Sequence, residues 1–140
     1  MGIDPNNPVV RLCAEGVQAE MAGRREDAAA LYRRAWDSRA DDFEACIAAH
    51  YLARVQSDPA SALHWNQLSL QHAEAVADER VSGFYPSLYL NLGKAHEDLG
   101  DREKAREFYQ HAARQLDALP EGKYAEIVKR GIAEALARVS

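Results

Sequence analysis

The sequence predicts an all-α chain of repeated helix pairs, and three observations carry that prediction. The segments "EGVQAEMAGRREDAAALY" (Glu15 to Tyr32) and "LGKAHEDLGDREKAREFY" (Leu92 to Tyr109) match in their glycines, an alanine and a tyrosine, and spaced self-similarity of this kind is the mark of a repeat architecture. Apolar and polar residues never alternate for long, and alanine and leucine outnumber valine and isoleucine, so strands have no support. Polar-cap-plus-proline starts recur at Asn7-Pro8 and Asp58-Pro59, where the side chain satisfies orphan N–H groups and proline's fixed φ suits the first helical residue.

Taken in order, the pattern places helices at about 8–22, 25–39, 43–56, 59–77, 84–99, 102–117 and 122–138. Asn7-Pro8 opens the first and Gly23 ends it. Asp58-Pro59 opens the fourth. Gly100 closes the fifth, and Asp101 caps the sixth. The seventh carries Tyr124, Ile127, Val128, Ile132 and Leu136 at helical spacing and reads as a closing helix. Gly16 and Gly93 are 77 residues apart, room for one period of 34 and one of 43, and an intermediate copy stands at "HYLARVQSDPASALHWN", with Ala62 in the slot of Ala28 and Ala105. The extra length falls in "AEAVADERVSGFYPS", which is expected to lengthen the second B helix and its connector and to expose Phe84 and Tyr85, either to pack over the extended helix or to meet a partner.

The glycines divide by job. Gly23 and Gly100 end helices, where a left-handed residue costs glycine nothing. Gly16 and Gly93 lie inside helices, at a propensity cost of about 1 kcal/mol. They are expected to let two helix backbones approach closely against the small residues facing them.

Composition bounds the function. The chain has 140 residues, enough for one domain with its own core, and is 47% hydrophobic and 28% charged. No apolar run nears the roughly 20 residues of a spanning helix. A net charge of −5, with basic residues scattered among acids, argues against nucleic acid. Cys13 and Cys46 sit in apolar helical patterns and are expected to be buried reduced thiols, and "MGIDPNNPVV" shows no secretory signal, which together predict a cytoplasmic protein.

Catalytic and metal motifs are missing. His64 and His72 are eight residues apart on one helix, too far for one ion, and neither HExxH nor a paired CxxC occurs. There is no nucleophile elbow and no phosphate-binding loop. Cys46 and His50 are four apart, but Cys46 takes a packing slot, where thiols are inert. The prediction is no enzyme, no metal and no cofactor.

In its spacing of Leu-Gly, Tyr, Ala and an aromatic, the helix pair resembles the tetratricopeptide repeat. In the third copy Tyr89, Leu92, Gly93, His96, Ala105, Tyr109 and Ala112 take repeat positions 4, 7, 8, 11, 20, 24 and 27. The first copy fills them with Leu12, Glu15, Gly16, Ala19, Ala28, Tyr32 and Ala35, and the second with Cys46, Ala49, His50, Ala53, Ala62, Asn66 and Ser69. No copy has the family's proline at position 32. The resemblance implies a right-handed solenoid: an N-terminal tail (1–8), repeats at 9–42, 43–85 and 86–120, and a capping helix (121–140). In the second copy His50, Asn66 and Ser69 make a polar slot, expected to be a hydrogen-bonded interior cluster.

The resemblance also implies a protein-interaction module whose inner groove is lined by the A helices. Carried onto this chain, that groove gives Val10, Cys13, Val17, Glu20 and Met21, then Glu44, Ile47, Tyr51, Arg54 and Val55, then Ser87, Leu90, Lys94, Glu97 and Asp98. The apolar members suit the nonpolar side of a helix or an extended apolar segment. The family members that hold chaperone C-terminal carboxylates use Lys and Asn at positions 5 and 9 of the first repeat. Here Cys13 and Val17 stand there, and Ala48 replaces the asparagine of the second repeat, so chaperone tails are disfavoured. The rival expectations are a small-molecule or peptide sensor with a pocket near His50, Tyr51 and the inserted connector, and a structural homodimer subunit.

Overall fold

A computed structural model describes residues 4–140, apart from the side chain of Ala118. Of the expected tail, Met1, Gly2 and Ile3 lie outside the described residues. The described residues form eight α-helices and no strand: α1 (Pro8–Met21), α2 (Arg25–Asp37), α3 (Asp42–Arg54), α4 (Pro59–Val76), α5 (Glu79–Ser82), α6 (Tyr85–Asp98), α7 (Arg102–Arg114) and α8 (Lys123–Val139), with a 3-10 turn at Leu116–Ala118. The helix expected over 102–117 thus ends at Arg114 and tightens into that turn. The short α5 lies in the connector, where none was expected.

The starts are set by side chains. Asn7 Oδ1 accepts from the N–H groups of Val9 (2.8 Å) and Val10 (3.1 Å). Asp58 Oδ1 accepts from Ser61 N (2.8 Å) and Asp101 Oδ1 from Lys104 N (3.1 Å). Asp41 caps α3 in the same way, through Glu44 N at 2.8 Å. The ends of α1 and α6 are built alike. Gly23 (φ +80°) and Gly100 (φ +85°) are left-handed, and Arg24 N and Asp101 N reach back to the carbonyls of Ala19 and His96, closing the wide turn that satisfies the last carbonyls. At the end of α4 an alanine, Ala77, takes the left-handed conformation (φ +48°).

The chain divides into two compact units, with the boundary between Arg80 and Val81 inside α5. In the first unit α1 packs on α2 and α3 on α4, while α3 also packs on α1 and α2. This is why α3 is buried from Phe43 through Ala49 and again at Leu52 and Ala53: a helix touched on several sides must be apolar nearly all round. Its one buried charge, Glu44, is satisfied, with Oε2 accepting from Asn7 Nδ2 (2.8 Å) and Oε1 from Ala40 N (2.7 Å). In the second unit α6 packs on α7, and α8 packs on both. Ala112, Leu119, Ala125, Val128 and Ile132 form the core there, with Tyr89 and Leu90 against them. No helix among the described residues is long and apolar enough to cross a membrane.

Candidate functional site

At the centre of the α1–α2 and α6–α7 interfaces the same three residue types meet. A Cβ added to Gly16 would collide with the ring of Tyr32, and one added to Gly93 would lie 2.5 Å from Tyr109 Cδ1. Both tyrosines are fully buried. The helix glycines therefore make room for an aromatic ring, not for close backbone approach against small residues as the sequence suggested. Each ring ends in a hydroxyl that donates to a carboxylate: Tyr32 to Glu20 Oε1 (2.5 Å) and Tyr109 to Glu97 Oε1 (2.6 Å).

Each carboxylate is then held by an arginine from a later helix. Arg54 on α3 approaches Glu20 at 3.2 Å, and Arg138 on α8 grips Glu97 with Nε at 3.0 Å and Nη2 at 3.1 Å. The Arg138 bonds, helped by the tyrosine hydroxyl, hold the Glu97 carboxyl down at about 2. Burial and then the bond to the carboxylate push both phenols above their ordinary range. Two further arginines fasten the end of α8: Arg106 Nη2 donates to Val139 O (2.8 Å) and Arg102 Nη2 to Arg138 O (3.0 Å). The sequence held one signal of this arrangement, a glutamate twelve residues before a tyrosine in both copies, and sequence reasoning missed it.

A family model for the tetratricopeptide repeat matches residues 86–114, which run from Pro86 in α6 to the end of α7. This segment is a tetratricopeptide repeat. The α1–α2 pair carries the same glycine, tyrosine and glutamate in the same contacts, so the repeat's geometry recurs outside the matched residues. No curated protein matches the chain. Tetratricopeptide repeats typically serve as protein-interaction modules.

The groove residues expected from the repeat do not all reach the surface. Cys13 (2% exposed) and Ile47 (7%) are core residues, packed where α1 and α3 are covered, and cannot line a groove. Glu44, expected on the same face, is also buried. Val10, Val17, Tyr51 and Val55 are half-buried, and Met21 is 84% exposed. Val10, Val17 and Met21 share one face of α1, Val55 caps α3 four residues after Tyr51, and the Glu20–Arg54 pair ties the two helices. Tyr51 is itself held by stacking on Tyr32, with centroids 5.3 Å apart.

In the second unit Leu90 packs against the core that α8 completes, with its Cδ2 facing Gly131, so it is covered by the chain's own last helix. Lys94 is exposed and pairs with Asp98 at 2.6 Å. Phe84 and Tyr85 are half-buried, and Tyr85 stacks toward Tyr89 at 6.1 Å.

The polar slot of the second copy is only partly the hydrogen-bonded cluster expected. Ser69 Oγ donates to Cys46 O (2.9 Å) and touches Cys46 Sγ at 3.6 Å, but Asn66 Oδ1 is sealed from solvent without a donor. Burial, and then the nearby Arg54 charge, lower His50 to about 4, so the imidazole is neutral at physiological pH. Both thiols are free and buried; burial raises Cys13 to about 12 and Cys46 to about 11. A Cys46 thiolate is scarce near neutrality. No group of three His, Cys, Asp or Glu side chains among the described residues is placed to hold a metal.

Proposed function

We propose that the chain is a non-catalytic, cytoplasmic interaction module that receives an apolar protein segment on the α1–α3 strip formed by Val10, Val17, Met21, Tyr51 and Val55, with Arg54 at its edge. The observation that carries this reading is Met21. A long, flexible apolar side chain stands 84% exposed at the end of the strip, four residues beyond half-buried Val17, where nothing in its own unit covers it. Methionine adapts its shape to a range of apolar partners. The strip is rigid elsewhere: Tyr51 is stacked, and Arg54 is anchored on Glu20. Interface energy concentrates on such pre-positioned aromatic and arginine side chains. Leu90 takes no part in this surface, because α8 already covers it.

Site-specific photo-crosslinking tests the reading. A photoreactive residue at position 21 should capture a discrete cellular partner, and Val17→Glu with Tyr51→Glu should abolish the capture without lowering helix content. Equal capture from position 61 on α4 would show that the strip is not the working surface. Sedimentation of the same double variant separates the homodimer alternative: a dimer through this strip dissociates in the variant, whereas a monomeric wild type at high concentration rules that dimer out.

A further inference from the structure

The second helix pair departs from its neighbours at one point, and the departure is chemically unfinished. Where the other pairs set a tyrosine ring over a glycine, α3–α4 has Asn66 and His50 at the corresponding repeat positions. Asn66 is only 4% exposed, its carbonyl oxygen is sealed, and no protein donor reaches it. The Ser69 hydroxyl proton is spent on the Cys46 carbonyl, and Ser69 is fully buried.

An isolated buried amide group is costly, and buried polar groups in folded proteins are nearly always satisfied, by ordered water where the protein supplies nothing. Such a water needs two to four polar partners, and polar groups stand on both sides of the seam. Asn66 and Ser69 are three residues apart on one face of α4, and Cys46 and His50 are four apart on the facing side of α3; the Ser69–Cys46 contact fixes the two faces against each other. Ser69 Oγ keeps lone-pair capacity after donating its proton. An asparagine is smaller than the tyrosine that takes the corresponding position in the other two pairs.

We infer that the α3–α4 seam is a binding site for one buried water molecule, which donates to Asn66 Oδ1 and is held on its other side by the Ser69 hydroxyl. The polar slot is thus a structural hydration site and not a ligand pocket. It replaces, in this pair alone, the tyrosine hydroxyl that the other two pairs use to finish their interface.

Oxygen-17 relaxation dispersion counts long-lived internal waters in solution, and the wild type should show one more per chain than Asn66→Leu. A crystal structure of the wild type should place a water within hydrogen-bonding distance of Asn66 Oδ1. His50→Gly with Asn66→Tyr, which rebuilds the arrangement of the other pairs, should also lack that water and serves if the leucine variant folds poorly. An unchanged count in both variants, or a dry or protein-bonded Asn66 Oδ1 in the crystal, overturns the inference.

Discussion

The α1–α2 and α6–α7 pairs, on one side, and the α3–α4 pair, on the other, solve the same packing problem with different chemistry. The first two bury a tyrosine over a glycine and discharge its hydroxyl on a glutamate that an arginine then neutralises. The middle pair buries an asparagine and a serine, and it spends its arginine, Arg54, on the glutamate of the pair before it. A helix pair can therefore stay packed while its central contact changes from a large ring to small polar groups. What changes is how each interface fails, under crowding, under truncation and under acid.

The largest effect should come from crowding the glycine. Gly93→Leu forces a side chain into the Tyr109 ring, and overpacking typically costs about 1–3 kcal/mol, sometimes more. Gly93→Ala should also lower the melting temperature, although alanine gains about 1 kcal/mol in helix propensity, because its Cβ would lie 2.5 Å from a ring that is buried and tethered. A neutral or stabilising Gly93→Ala would mean that Tyr109 yields. Next come the latches. Tyr109→Phe should cost about 1 kcal/mol, the lower range for a hydrogen bond to a charged group that keeps some solvent. Arg138→Met should cost more than Arg54→Met, because Arg138 grips its carboxylate with two good hydrogen bonds whereas Arg54 makes longer contacts. Urea melts of the five variants check the order.

Acid separates the pairs by pH window. His50 is lowered to about 4 from an ordinary 6.5, so the unfolded chain takes the proton first: stability falls as pH drops from about 6.5 to 4, and His50→Gln should flatten that part of the profile. Glu97 is lowered to about 2 from 4.5, so its contribution is present above about 4.5 and is lost as pH falls toward 2; Glu97→Gln should flatten that lower window alone. Interchanged windows would refute the assignment. The smallest effect is a gain. Ala77 is left-handed at the end of α4, as Gly23 and Gly100 are at the ends of α1 and α6, and Ala77→Gly should raise stability by about 0.5–1 kcal/mol in thermal melts.

The helices were legible in the sequence because their signals are local. Asn7, Asp58 and Asp101 cap where they were expected to, since a side chain two or three residues from an orphan N–H needs no tertiary help. Gly23 and Gly100 were legible for the same reason. The partner of Gly93 was not: the repeat pattern marks a position with no room for a side chain, but which atom fills the room depends on the ring of a residue sixteen positions away. The candidate surface was legible only in part. Cys13 and Ile47 carry the right spacing for the groove face, yet α3 is packed from several sides, and burial on those sides is decided by neighbouring helices.

By itself the sequence determined the helix starts and stops, the repeated pairing and the absence of strands, because hydrogen bonds within a helix and caps at its ends act over a few residues. Only the tertiary structure decided that Glu20 and Glu97 would be gripped by Arg54 and Arg138, that α8 would cover Leu90, and that Asn66 would be sealed without a donor. Those outcomes depend on atoms brought together from 23 to 41 residues apart, as Ser69 with Cys46 and Arg138 with Glu97 show, and the packing that joins them is not written in any one segment.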